Sequence, residues 1–430
     1  MDISTLYEAF AECNGVTTDT RNCPEGSMFV ALKGETFNGN AFARQALAKG
    51  CRYAVVDEAA YADGKNILCV DNCLSTLQAL ANEHRRRMGT RVIGITGTNG
   101  KTTTKELIAA VLQKKFNVLY TQGNLNNHIG VPLTLLRLTS GHEVAVVEMG
   151  ANHPGEIRAL VNIVEPDAGL ITNVGKAHLE GFGSFEGVVK AKSELYDYLR
   201  SKPDALTFLD KDSDVLCKVS AGLNILGYGM EGTEDLFVGG SLHACAPFLS
   251  FEWKHKGVSH DVNTHLIGAY NIKNALAAIA VGCWLGVPSE DICDALNNYI
   301  PGNNRSQLTE TSANHLIVDA YNANPTSMMA ALENFHRMEV AHKVAVLGDM
   351  KELGAVSTAE HRKIVAFLHA CGFERTVLVG EEFAAANDGF EHYPDVEAVK
   401  SAFIKEKPVG KYMLIKGSNS MKLSRLIEVL

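Results

Sequence analysis

The segment Gly94-Ile95-Thr96-Gly97-Thr98-Asn99-Gly100-Lys101-Thr102-Thr103 holds residue types whose spacing suits phosphate chemistry. Its glycines fall three apart, directly after the β-branched run Val92–Thr96. A strict P-loop has a glycine six residues before its lysine, where this chain has Ile95. The physical logic survives that shift. A strand ends, small residues let backbone N–H groups curl around a phosphate, and a helix begins with its positive dipole end toward the anion. Lys101 can then reach the β and γ phosphates, and the Thr102 hydroxyl can bind a magnesium ion bridging them. The expected chemistry is nucleoside triphosphate binding; the bland alternative is an ordinary strand-to-helix turn.

Other polar groups stand at the ends of apolar runs. Glu148 closes Val144–Val147, where a parallel sheet places ligands, although a capping or ion-paired role suits it equally. Asn124, Asn126 and Asn127 offer amide donors and acceptors for a phosphate or peptide backbone, or form a polar turn before Gly130. His178 follows another buried run; a lone histidine is ordinarily structural. Lys190-Ala191-Lys192 reads as an amphipathic helix start with solvated lysines. Asn271 and Asn274 lie one turn apart on one helix face, where they cap, pack or bind. Asp319 ends a further strand, just ahead of Tyr321, Asn322, Asn324 and Ser327.

Elements able to position these groups are legible in the alternation of the chain. The 430 residues suit two to four domains, and 46% apolar with 21% charged residues is ordinary for a globular protein. Residues 1–86 alternate short apolar runs with helical patterns, a small α/β unit. Within Glu83-His84-Arg85-Arg86-Arg87 the favoured reading is a solvated helix end at a domain junction, over an anion patch. Residues 87–301 carry strand–helix alternation expected of a mostly parallel sheet, with 205–262 read as a β-rich insertion and Pro301-Gly302 as a hinge. Residues 302–430 alternate strands and amphipathic helices like a doubly wound domain without a GxGxxG turn. The formal net charge of −9 disfavours a nucleic-acid partner. Leu266–Val287 contains Asn271, Lys273 and Asn274, so a buried helix is expected rather than a membrane span. The N-terminal MDISTLYEAF does not read as a secretory signal, and ten cysteines without a CxxC pair suit a reduced cytoplasmic protein.

Gly97-Thr98-Asn99-Gly100-Lys101-Thr102 resembles the ATP loop of the Mur ligase family, ATP-dependent amide ligases of peptidoglycan precursor synthesis, and further matches run along essentially the whole chain. The resemblance implies a three-domain α/β protein: a small N-terminal domain for the UDP-muramoyl substrate, a central P-loop-type ATPase domain and a C-terminal Rossmann-like domain. It implies ATP contacts from Gly97, Thr98, Asn99, Gly100, Lys101, Thr102, Thr103, Asn271, Asn274, Arg305 and Asp319. Magnesium would be held by Thr102, Glu148, His178 and Lys192, the last as a carbamate formed with carbon dioxide. Lys101, Lys192, His178 and Arg305 would form the catalytic set. Thr20, Arg21, Asn38, Gly39, Asn126 and Asn127 would bind the UDP substrate.

The segments Gly123–Pro132 and Asp319–Pro325 are similar to the dipeptide-adding branch of the family. They imply UDP-N-acetylmuramoyl-tripeptide and D-alanyl-D-alanine as substrates, with Tyr321, Asn322, Asn324, Ser327 and Lys416 on the dipeptide side. The expected state is a monomer with no nucleic-acid or membrane partner. Three departures stand out: Asn304 precedes Arg305 where glycine is usual, Asn38-Gly39-Asn40 replaces Asp-Gly-His, and Asn419 stands where arginine is more usual. Rival readings are a third-residue ligase, a folylpolyglutamate synthase and a non-catalytic ATP-regulated switch.

Overall fold

The computed structural model describes residues 1–245, 247–302 and 307–430; Arg305 lies outside the described residues. Three sheets follow one another along the chain. The first has four parallel strands in chain order: β1 (Val16–Thr17), β2 (Met28–Val30), β3 (Tyr53–Val56) and β4 (Ile67–Cys69). All three residues of β2 are buried, as expected when both faces of a parallel sheet are covered.

The helix Cys73–Met88 leaves this sheet, capped by the Asn72 side chain and stopped by Gly89 at φ +63°. Its last turn corrects the expectation of a solvated end. Arg85 is buried and donates to the carbonyls of Val164 and Glu165 and to the Asp167 carboxylate. Those carbonyls close the helix Glu156–Val164, whose negative dipole end attracts the cation. The neighbouring His84 is also buried, between the Tyr7 hydroxyl and the Leu138 carbonyl. His84 and Arg85 are thus packed, while Arg86 and Arg87 keep the solvent exposure expected of them.

The central sheet has nine strands: β5 (Arg91–Thr96), β6 (Val118–Tyr120), β7 (Val144–Glu148), β8 (Ala168–Ile171), β9 (Leu206–Asp210), β10 (Ile225–Met230), β11 (Val238–Cys245), β12 (Phe248–His255) and β13 (Val258–Ile267). Their spatial order is β13-β12-β11-β10-β9-β8-β5-β7-β6, parallel from β6 to β11 and antiparallel beyond. The stretch 205–262 is therefore no insertion, because β9–β13 continue the same sheet. Alternate residues Leu249, Phe251 and Trp253 of β12 are buried in one core with the helix Asn271–Trp284. That one-sided alternation made the region read as a separate β unit. The apolar stretch after it is the buried helix expected, and among the described residues no helix is long and apolar enough to cross a membrane.

The third sheet, in the order β14-β15-β19-β16-β17-β18, comprises β14 (Gln307–Glu310), β15 (His315–Asp319), β16 (Lys343–Gly348), β17 (Arg375–Val379), β18 (Glu391–Tyr393) and β19 (Tyr412–Lys416). All pairings are parallel except that of edge strand β14. Successive residues enter opposite cores: Ala345, Leu347 and Leu378 one, Val344, Val346 and Val377 the other. This period of two on a sheet covered on both faces gives the doubly wound arrangement.

Candidate active site

Strand β5 lies between β7 and β8, so the chain crosses over it on passing from β7 to β8. Such a crossing opens a crevice at the carboxyl ends of the strands, and the loop Gly97–Gly100 fills this one. Gly97 sits against Thr172 at φ +143°, where a Cβ would collide with the hydroxyl. Gly100, at φ +77°, precedes the helix Lys101–Leu112. Residues after β8 strap the loop down. Asn173 accepts from the Asn99 amide through its side chain (3.0 Å) and from the Thr98 amide through its carbonyl (2.9 Å). The Thr172 hydroxyl and the Asn173 amide both donate to the Asn99 carbonyl. Lys101 Nζ folds back onto the carbonyls of Gly97 and Thr98 at 2.8 and 3.0 Å. The cation therefore lies over the loop it would serve.

Glu148, 1% exposed, is gripped from several sides. Thr102 Oγ1 donates to Oε2 at 2.9 Å and Asn126 Nδ2 to Oε1 at 2.8 Å, and the Glu148 backbone N–H donates to Thr121 Oγ1 at 3.0 Å. The fully buried Lys105 lies 3.8 Å from Oε2 and compensates the charge. Among the described residues no group of three or more His, Cys, Asp or Glu forms a protein-only metal site. Magnesium in nucleotide sites takes one or two carboxylates and completes its shell with phosphate and water oxygens. One ionisable carboxylate beside a threonine hydroxyl, at the foot of a phosphate loop, fits that donor set.

His178 and Lys192 approach from the next two helices. His178 adopts a left-handed conformation (φ +50°), uncommon for a residue with a side chain, at the start of Leu179–Phe182. Burial, with the charges of Lys101 and Lys192, pushes its imidazole below the ordinary value, against the Glu352 carboxylate. Its Nδ1 touches that carboxylate without hydrogen-bonding alignment. Lys192 lies in Phe185–Arg200, capped by Ser184; it is 2% exposed rather than solvated, and its Nζ donates to the Ala151 carbonyl at 3.0 Å. Burial and the nearby Lys101 charge hold its amine well below the usual lysine range, with Glu156 and Glu194 opposing.

The third sheet supplies the opposite wall of a cleft of about 600 Å³. Asp319 and Lys416 are register partners at the carboxyl ends of β15 and β19 and form an ion pair. Lys416 is thus engaged by Asp319, while Asn419 is exposed. Asn324 caps the helix Pro325–Arg337, accepting from Ser327 N, and its amide also donates to Asn99 Oδ1.

Of the expected residues, Thr98, Asn99, Gly100, Lys101, Thr103, Asn126, Asn127, Glu148, His178, Asn271, Asn274, Asp319, Tyr321, Asn322, Ser327 and Lys416 line this cleft. Asn271 and Asn274 share a face, joined to each other at 2.8 Å and to Thr104 at 3.0 Å. Thr20, Arg21, Asn38 and Gly39 stand apart in the first sheet's loops. There Arg21, with a 91% exposed side chain, pairs with Asp19, and Asn38 accepts from Asn40. Sequence reasoning assigned no role to Lys105, Asn173 or Glu352. The signal for Asn173 was its place directly after a buried strand; Lys105 and Glu352 carried none, because their partners are distant in sequence.

Comparison with known proteins follows the same division. Family profiles described as Mur ligase family, catalytic domain, Mur ligase middle domain, and Mur ligase, glutamate ligase domain match residues 12–110, 95–282 and 304–419. The UDP-N-acetylmuramoyl-tripeptide--D-alanyl-D-alanine ligase of Escherichia coli (strain K12) is 37% identical, covering 99% of this chain and 95% of its own. The crystal structure of MurF from Acinetobacter baumannii aligns with a TM-score of 0.89 at 31% identity, over 99% of this chain and 97% of that one. A MurF ligase from Thermotoga maritima, solved in complex with ADP, aligns with a TM-score of 0.85 at 28% identity over 96% of both.

Proposed function

The chain belongs to the Mur ligase family, and we propose that within it the protein joins D-alanyl-D-alanine to UDP-N-acetylmuramoyl-tripeptide with hydrolysis of ATP to ADP and phosphate. The observation that carries this reading is the meeting of a strapped phosphate loop with the Asp319–Ser327 segment across one cleft, joined by Asn99 and Asn324. The setting is the cytoplasm and the working unit a monomer.

A carboxylate is a poor electrophile because its oxygen leaves unfavourably. In the first step the tripeptide carboxylate attacks the γ phosphate, forming an acyl phosphate and releasing ADP. The dipeptide amine then attacks the activated carbonyl, and phosphate leaves from the tetrahedral intermediate. Such chemistry asks the protein for positioning and charge neutralisation. Gly97–Thr103 cradle the phosphates, and Lys101 swings from the loop carbonyls to neutralise them, with Arg305 as the further cation that the family resemblance implies. Thr102, Glu148, His178 and Lys192 hold magnesium, which when bound offsets phosphate charge. Asn271 and Asn274 face the adenine, and Asp319 the ribose hydroxyls.

Lys192 serves as a carbamate. Its amine, biased toward the neutral form by burial, adds carbon dioxide and sheds a proton, becoming an anionic oxygen donor. Thr20, Arg21, Asn38, Gly39, Asn126 and Asn127 bind the UDP substrate; Tyr321, Asn322, Asn324, Ser327 and Lys416 serve the dipeptide. Closure of the two walls excludes water, which would otherwise hydrolyse the acyl phosphate.

The test is Lys101→Ala. Phosphate release dependent on both substrates should fall at least a hundredfold, about 3 kcal/mol of transition-state stabilisation, with the circular dichroism spectrum unchanged. Turnover near the parent rate in that variant refutes the phosphate-loop assignment.

A further inference from the structure

We propose that Glu352 is a positioning residue for His178: reaching over from the third sheet's domain, it fixes the ring orientation with which His178 holds the metal. The proposal rests on the ligase reading above and adds a residue that reading does not use. The loop that carries Glu352 leaves the carboxyl end of β16 and is fixed first by Asp349, which is fully buried. The Asp349 carboxylate accepts from Phe383 N at 2.9 Å and from Glu382 N at 3.2 Å. Met350 N then donates to the buried His361 at 3.0 Å, and Lys351 N to Ser418 Oγ at 3.0 Å. A loop held at three successive residues presents the fourth, Glu352, to His178.

Among the described residues only seven other than glycine have a positive φ, and His178 (+50°) and Glu352 (+63°) are two of them. These two touch. The Glu352 carboxylate contacts His178 Nδ1, a buried nitrogen that finds no hydrogen-bond partner elsewhere. Left-handed backbone is costly for a residue with a side chain and persists only where the surroundings impose it. Here they do so on both sides of the histidine. Lys176 N donates to Thr326 Oγ1 at 3.3 Å, Lys176 Nζ to the Glu360 carboxylate at 2.9 Å, and Glu180 N to the Glu352 carbonyl at 3.4 Å. Thr326, Glu352 and Glu360 all belong to the third sheet's domain, which therefore shapes the backbone from which His178 projects. An imidazole can offer a metal either ring nitrogen, and the partner of the other nitrogen decides which. A carboxylate on Nδ1 leaves Nε2 as the donor and makes it more basic.

The test measures manganese(II) affinity by electron paramagnetic resonance, on the full chain with a non-hydrolysable ATP analogue. Glu352→Gly removes the carboxylate and suits the left-handed backbone, so its melting temperature should stay at the parent's. Its manganese affinity should nevertheless fall about tenfold, as should that of His178→Ala. The double variant should lose no more than His178→Ala alone, because Glu352 acts through the imidazole. Affinity within about twofold of the parent in Glu352→Gly overturns the proposal, and so do losses that multiply in the double variant. Parent-like affinity in His178→Ala, or a parent protein that binds no manganese with the analogue, overturns the metal site of the ligase reading and the proposal with it, a distinct result.

Discussion

Asn324 and Asn99 pair their side-chain amides across the cleft: Asn324 Nδ2 donates to Asn99 Oδ1 at 2.7 Å, and Asn99 Nδ2 returns a longer contact of 3.4 Å to Asn324 Oδ1. The same Asn324 oxygen accepts from Ser327 N and caps Pro325–Arg337, while Asn173 fixes the Asn99 main chain. An unbroken series of hydrogen bonds thus runs from the end of β8, through the phosphate loop, into the first turn of a helix on the third sheet. Asn324→Ser preserves a good helix cap but is too short to reach Asn99. Either Asn324→Ser or Asn99→Ala should reduce kcat/KM about fivefold, near 1 kcal/mol for one hydrogen bond. The double variant should lose little more than the worse single one. Multiplicative losses in steady-state kinetics would show that the two amides act independently.

Lys192 makes a prediction in which activity and stability move in opposite directions. Burial and the Lys101 charge hold its folded amine well below the ordinary 10.5. In carbonate-free buffer, the unfolded chain therefore binds a proton that the folded chain lacks at any pH between the depressed value and 10.5. Stability contributed by this group rises with pH through that window, and its penalty is fullest below it. Lys192→Met removes the penalty. The variant should melt higher than the parent at pH 7, by a margin that narrows toward pH 10, yet be nearly inactive. Short carboxylates should partly restore Lys192→Ala by supplying the missing oxygens. An active Lys192→Met enzyme would rule out the carbamate role.

The Arg85 clamp predicts a structural effect of ordinary size. Removing the guanidinium leaves the carbonyls of Val164 and Glu165 without their buried donor. Arg85→Ala should cost about 1–3 kcal/mol in urea denaturation, whereas the exposed Arg86–Glu165 pair should contribute under about 1 kcal/mol. Equal effects would mean that the junction is solvated after all.

These cases show what the sequence made legible. Strands β5 and β7 are short β-branched runs and β8 a short apolar one, all buried, and polar residues at their ends marked the cleft: Glu148, His178 and the loop before Lys101. The doubly wound third sheet was equally plain except at its edges, where polar β14 and β18 carry little apolar pattern. Burial that depends on a partner far along the chain leaves no local mark in the sequence. Arg85 and Lys192 look like solvated charges until the Glu156–Val164 carbonyls and the Ala151 carbonyl are brought to them. The strands after β9 alternate as a half-exposed sheet does, which conceals that they extend a parallel one.

The acceptor is the most discriminating feature, because ATP machinery is common to the family and the amine is not. A pocket that pairs a dipeptide's internal amide and distal carboxylate leaves those groups unsatisfied when a single amino acid binds, at about 1–3 kcal/mol each. The decisive measurement is phosphate release with ATP, magnesium and UDP-N-acetylmuramoyl-tripeptide, comparing D-alanyl-D-alanine, L-lysine, meso-diaminopimelate and glutamate at equal concentration. The dipeptide should lead by about a hundredfold or more. A free diamino acid that outruns it would rule out the dipeptide as the native acceptor and mark the protein as a third-residue ligase.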